Sequence, residues 1–200
     1  MLKQVNLDPN IKYDALITQP TIIRVTDFNE KAYGEFLTAF QQCIDSRQTV
    51  IPINIDSYGG QVYSLLGMLE LIKSSPVPVA TYVSSKAMSC GAVLFSAGTN
   101  GYRFIAPTAH VLIHQVSGGS VGKVEDVEVS TAQMTSLNKQ LMGILSKNCG
   151  HDAGYFSREL LKNGNADLYY SPALAVKHGL ANVIKTPLFK VEVKTTFTLS

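Results

Sequence analysis

The sequence predicts an α/β fold built on a largely parallel sheet. Strand-like and helix-like runs alternate along most of the chain, at least one strand is apolar on both faces, and sharp turn signals separate strand from helix. With 200 residues, 46% of them hydrophobic, the chain can build a sizeable core, which excludes a disordered or fibrous protein. One domain over 1–200 is expected: an N-terminal arm over 1–20, a core over 21–185 and a C-terminal tail over 186–200.

The regular pattern starts at Thr21–Val25, a β-branched run that reads as a strand. Asp27 to Gln42 then place Tyr33, Phe36, Leu37 and Phe40 at helical spacing, with Asp27 or Asn29 as the cap. Val50–Asp56 reads as a buried strand, broken by Ser57-Tyr58-Gly59-Gly60. A helix with Leu65, Leu69 and Ile72 on its stripe follows and stops at Ser74-Ser75-Pro76. Val77–Val83 is the next strand, and Ser84–Ala92 leads into an apolar helix with small residues at its start. Strands are expected at Tyr102–Ala106 and His110–Val116, the second running into the glycine-rich segment Ser117–Gly122. A long helix spans about 123–149, with Val124, Val127, Met134, Leu137, Leu141, Ile144 and Leu145 on its apolar stripe. Shorter helices at Tyr155–Lys162 and Ala173–His178, a strand near Ala181–Ile184 and an extra strand or tail over Leu188–Leu199 complete the reading.

Charge and cysteine usage narrow the function classes. Seventeen basic against 15 acidic residues give +2 with no Lys/Arg cluster, so nothing favours nucleic acid or an acidic membrane surface. Cys43, Cys90 and Cys149 are odd in number and scattered, which supports neither a disulfide framework nor a zinc site. No stretch approaches about 18 uninterrupted apolar residues, and Asp8 and Pro9 interrupt the place where a signal peptide needs its apolar core. A soluble, cytoplasmic protein is expected.

Loops after the C-terminal ends of parallel strands are where α/β proteins carry function, and two stand out. The Gly59-Gly60 turn opens a helix and exposes backbone N–H groups. Ser89, with small neighbours Ala87, Gly91 and Ala92, sits where the next helix begins. A serine hydroxyl needs a base, and the base needs an orienting group. His114 follows the apolar run Val111-Leu112-Ile113, and Asp167 follows an Asn-Gly-Asn turn, so they are candidates for those roles. The plainer alternatives are a capping serine, a structural histidine, a capping aspartate and a simple tight turn.

From about Thr21 to Lys185 the sequence resembles the Clp protease proteolytic subunit (ClpP) family, serine peptidases of the ClpP/crotonase fold, built from repeated β-β-α units with a long handle helix. Ser57-Tyr58-Gly59-Gly60 is similar to the family's Ser-Pro-Gly-Gly, and Ala87–Ala92 to its nucleophile motif. Arg103-Phe104, Pro107 and Ile113-His114-Gln115 are similar to the histidine stretch. Gly118, Gly119 and Gly122 correspond to the glycine-rich substrate strand, and Asp126 and Glu128 to the start of the handle helix. Asp167, Ser171, Ala175-Val176 and Gly179-Leu180 correspond to the aspartate region.

The resemblance implies a serine endopeptidase with Ser89, His114 and Asp167 as triad and the N–H groups of Gly59 and Cys90 as oxyanion donors. It further implies heptameric rings stacked in pairs, unfolded polypeptide substrates, an AAA+ unfoldase partner, and no metal or cofactor for this chain, ATP being used by the partner. The sequence departs from the family pattern at Tyr58, Cys90 and Asn165-Ala166, which stand for a proline, a methionine and a ring-linking Asp-Arg pair. These departures mark a remote member, of the kind a phage or other mobile element carries. The rival readings are a catalytically silent ring subunit, a crotonase-like acyl-CoA enzyme, a Ser-Lys peptidase using Lys86, and a cysteine mechanism at Cys90.

Overall fold

A computed structural model of the chain describes residues 20–190. The elements run β1 (Ile23–Val25), α1 (Glu30–Asp45), β2 (Ile51–Ser57), α2 (Val62–Lys73), β3 (Val79–Met88), α3 (Cys90–Ser96), β4 (Arg103–Ile105), β5 (His110–Ile113), α4 (Val124–Asn148), α5 (Tyr155–Lys162), β6 (Leu168–Tyr170), α6 (Pro172–Lys177) and β7 (Val183–Ile184). They form a seven-stranded sheet in the order β1-β2-β3-β4-β7, with β5 branching from β3 and β6 pairing with β5. All pairs are parallel except β5–β6. The expected α/β, ClpP/crotonase-like architecture with its long helix is therefore present, with one antiparallel strand making the sheet mixed.

Local chemistry accounts for most of these elements. Asn29 caps α1 by accepting from the Ala32 N–H at 2.8 Å, and the helix buries Phe36, Phe40 and Cys43. In β2, Ile51, Ile53 and Ile55 are wholly buried, and α2 lays Leu65, Met68, Leu69 and Ile72 into the same core. Ser171 caps α6, whose first residue is Pro172, a position where the missing N–H is harmless.

The sequence reading and the structure part at three places. The strand expected to stop at Val83 runs to Met88, and α3 starts only at Cys90. The reason is tertiary: Lys86, Ala87 and Met88 pair with His110, Val111 and Leu112, which holds the segment extended despite its small residues. β5 ends at Ile113 rather than Val116, because the Val116 N–H leaves the ladder and donates to Asn138 Oδ1 of α4 at 3.0 Å. β6 was not expected at all; its three residues are too few for a visible alternation, and its pairing with β5 defines it. Leu188 to Lys190 carry no regular structure. The expected N-terminal arm up to residue 19 and the tail from 191 lie outside the described residues.

The segment bearing Asp167 is anchored by an aromatic cluster behind β6. Tyr170 packs edge-on to Phe156 of α5 and to His178, and the Tyr155 hydroxyl lies 2.7 Å from His178 Nδ1. Burial holds the His178 pKa below its usual value, against the opposing charge of Glu159; Lys177 and His151 push the same way as burial. A histidine that resists protonation when folded makes stability full above its unfolded pKa of about 6.5 and progressively weaker as pH falls. His178→Gln is accordingly expected to lose less Tm than the parent between pH 7 and 5.5, as read by thermal melts at each pH.

Candidate active site

Three parallel strands deliver their C-terminal ends to one place: β2 ends at Ser57, β3 at Met88 and β5 at Ile113. The β3–β5 ladder continues one step beyond the strands, with the Ser89 N–H donating to the Leu112 carbonyl at 2.9 Å. One step beyond Met88↔Leu112, Ser89 stands level with Ile113, one residue from His114. The chain then turns abruptly into α3, and Ser89 takes φ 55° and ψ −119°. A serine there carries strain of about 1–3 kcal/mol. All seven residues of α3 are buried, Val93, Leu94 and Phe95 among them, at about 1.5–3 kcal/mol for each such large side chain, so packing outweighs the strain. Of the three non-glycine residues with positive φ, Ser89 alone stands at the end of a central strand.

Ser89 and His114 line the same cavity of about 60 Å³, with Gly60, Cys90 and an apolar wall that includes Val62, Val93 and Leu141. His114 is half-buried, just past the end of β5. Asp167 is exposed and does not line the cavity. The β5–β6 register pairs Ile113 with Leu168, so one step further along it faces His114 with Asp167. Gln115 Nε2 donates to Asn165 Oδ1 at 3.2 Å, tying the residue after His114 to the turn before Asp167. Among the described residues no hydrogen bond joins the side chains of Ser89, His114 and Asp167. The fold thus brings serine and histidine to one cavity and the aspartate into register beside the histidine, without a hydrogen-bonded line.

The glycine turn presses directly on the serine. At Gly59 (φ 109°) an added Cβ would lie 2.7 Å from Ser89 Cβ and 3.1 Å from its Oγ, so no side chain fits. The Gly59 N–H, expected as an oxyanion donor, instead donates to Ser57 Oγ at 3.0 Å. The glycine that lines the cavity is Gly60. Its carbonyl accepts from Cys90 Sγ at 3.2 Å, and the Gln61 N–H donates to the Phe28 carbonyl at 2.7 Å, pinning the turn from both sides. The signal for Gly60 was present locally: a serine two residues before an N–H readily forms a turn with it, which takes Gly59 out of play. The Cys90 N–H is the first of α3 and has no intrahelical partner.

Two rival nucleophile chemistries fit this geometry poorly. Lys86 Nζ lies 2.6 Å from Asp56 Oδ1 and 4.5 Å from the centre of the Tyr58 ring. Its hydrogen bond to Asp56 raises its pKa, so it stays charged and is a poor acceptor for the serine proton. Burial likewise pushes the Cys90 thiol up, which leaves it protonated and weakly nucleophilic. Among the described residues no group of three or more His, Cys, Asp or Glu side chains could hold a metal, and no helix is long and apolar enough to cross a membrane.

The mixed, mainly parallel sheet with its long helix α4 is that of the ClpP-like class of α/β proteins. Within that class the Clp protease family model matches residues 10–187, and the chain belongs to that family. It is 32% identical over 138 residues to the ATP-dependent Clp protease proteolytic subunit 1 of Rhodopirellula baltica, covering 69% of this chain and 59% of that protein. It is 32% identical over 136 residues to proteolytic subunit 2 of Chlamydia pneumoniae, covering 68% and 65%. With proteolytic subunit 1 of Salinibacter ruber it shares 34% over 122 residues, 60% and 52% of the two chains. The aligned stretch therefore spans between about half and two thirds of these curated relatives.

Gly59→Ala tests the contact between turn and serine. The methyl group has to displace Ser89, and under the serine-peptidase reading proposed below a displacement near 1 Å lowers turnover by about 100-fold. That loss in peptide hydrolysis, with an unchanged circular dichroism spectrum, is the expected result.

Proposed function

We propose that the chain is the proteolytic subunit of a Clp-type, ATP-dependent protease: a serine endopeptidase that hydrolyses peptide bonds inside an oligomeric chamber. The observation that carries this reading is the strained Ser89, which lines one cavity together with His114, Gly60 and Cys90. Ser89 Oγ attacks the peptide carbonyl while His114 takes its proton and passes it to the leaving amine. Asp167, facing His114 across the β5–β6 register, orients the imidazole and stabilises its charged form. The N–H groups of Gly60 and Cys90 receive the oxyanion; loss of one such donor typically lowers kcat by about 100- to 1,000-fold. Water then hydrolyses the acyl-enzyme by the same proton relay.

The wider assignment follows the family. Homo-oligomeric rings, seven-fold and stacked in pairs, enclose the sites, and the exposed Val124 and Val129 near the start of α4 suit a helix that packs against other subunits. Unfolded polypeptide is the substrate, supplied in the cytoplasm by an AAA+ unfoldase that spends the ATP. Asn165, where the family carries an acidic residue of its ring-linking pair, bonds within this chain to Gln115, which favours looser coupling between rings.

The unjoined triad side chains favour a second reading, a catalytically silent ring subunit that keeps the fold. One experiment separates the two. Ser89→Ala is expected to abolish fluorophosphonate labelling and peptide cleavage, and His114→Ala to lower cleavage by at least about 1,000-fold, both with unchanged sedimentation. Hydrolysis by Ser89→Ala at the parental rate excludes the serine mechanism. A parent protein that assembles and never acylates supports the silent subunit.

A further inference from the structure

We infer that Lys86 is a positioning residue, which sets the distance between Ser89 and the Gly59-Gly60 turn by clamping Asp56 and Tyr58; this rests on the serine-peptidase reading above. The clamp lies where the backbone cannot do the work. Along β2 and β3 the register is regular from Ile51↔Val79 to Ile55↔Val83, then slips so that Ser57 faces Ala87. Three residues of β3, Ser84, Ser85 and Lys86, thus stand opposite Asp56 alone, and the regular ladder is interrupted immediately below the site. Beyond that break lie the two groups whose separation matters most: the strand end leading to Ser89 and the turn bearing the Gly60 N–H.

Lys86 spans the break. Its Nζ meets Asp56 Oδ1 at 2.6 Å, joining β3 to β2, and sits 4.5 Å from the centroid of Tyr58, the first residue of the turn. The Tyr58 side chain is 75% exposed, so little else restrains it. The Lys86 side chain is 21% exposed and that of Asp56 41%, so the pair is held by its short contact and its place in the sheet and not by exclusion of solvent. One ammonium therefore holds both the end of β2 and the start of the turn against the strand that carries the nucleophile. The bridge from Gly60 to Phe28 fixes the far end of the turn, and Lys86 fixes its near end at Asp56 and Tyr58. The cation contacts neither Ser89 nor His114 and takes no proton in the reaction.

The test compares Lys86→Met, which keeps length without charge, with Lys86→Arg, which keeps a cation able to pair with a carboxylate and sit over a ring. Turnover of a short fluorogenic peptide amide and labelling by a fluorophosphonate are measured on the assembled protein. Lys86→Met is expected to lower kcat and the labelling rate by about 10- to 100-fold, with KM within about two-fold and the shape of the pH–rate profile unchanged. Lys86→Arg is expected to recover at least half of the parental rate. Asp56→Asn, a shape-conserving change, is expected to reproduce the loss, and Asp56→Asn with Lys86→Met to be no worse than either alone. The inference is overturned if Lys86→Met or Asp56→Asn stays within two-fold of the parent, if Lys86→Arg falls as far as Lys86→Met, or if Lys86→Met deletes one limb of the pH profile, which makes Lys86 an acid or base instead. A parent protein that neither cleaves nor labels overturns the peptidase reading and this inference together; an active parent with an unaffected Lys86→Met overturns the inference alone.

Discussion

The forked pairing of β3 is the constraint on which the site depends. The first half of the strand pairs with β4 through Thr81, Tyr82 and Val83, and the second half pairs with β5 through Lys86, Ala87 and Met88. Because β5 joins the same edge further along, its C-terminal end arrives beside the end of β3 rather than behind it. The bond from the Ser89 N–H to the Leu112 carbonyl closes that ladder. Ser89 and His114, 25 residues apart in sequence, are thus located by backbone hydrogen bonds, the most rigid positioning a fold offers.

The far end of α3 is held as firmly as its start. Arg103 is 3% exposed and donates to the Asn148 carbonyl at 2.7 Å and the Ser96 carbonyl at 3.3 Å, so one guanidinium meets the C-terminal ends of α4 and α3. Its Nε donates to Asn182 Oδ1 at 3.2 Å, just before β7. A buried cation is tolerated there because the carbonyl ends of two helices supply the partial negative charge that a carboxylate would otherwise provide. With α3 fixed at Arg103 and buried throughout, the strain at Ser89 has nowhere to relax. The serine is held in a posture that an isolated peptide would abandon.

The glycine turn is held differently, by side chains as well as by a backbone bridge from Gly60 to Phe28. Ser57 Oγ holds the Gly59 N–H, Cys90 Sγ donates to the Gly60 carbonyl, and Lys86 reaches across the register slip to Asp56 and Tyr58. Each contact comes from a different point on the strands, and together they hold a segment that two glycines would otherwise leave loose. Substitutions at these positions act on the spacing of catalytic groups before they act on the stability of the fold, since the wholly buried Ile51, Ile53 and Ile55 lie below the turn in the same strand.

The alternation of strands and helices was legible in the sequence because burial writes it there: Phe36 and Phe40 at helical spacing, Ile51, Ile53 and Ile55 at strand spacing in β2, a proline after α2. Ser89, His114 and Asp167 were legible locally only as candidates beside plainer capping and structural readings, and the resemblance of several motifs in fixed order is what joined them. What the chain alone did not disclose was every feature created by a distant partner. The extension of β3 to Met88 requires β5; β6 exists only against β5; and the capture of the Gly59 N–H by Ser57 Oγ, with Gly60 lining the cavity, depends on how the turn is folded against Phe28 and Cys90. Sequence determined which residues could serve and roughly where the strands would end, because propensity and hydrophobic periodicity are local. Tertiary structure decided which N–H Ser57 captured, which side chains met and how the serine was strained, because hydrogen-bond partners and register belong to pairs of segments and not to either one.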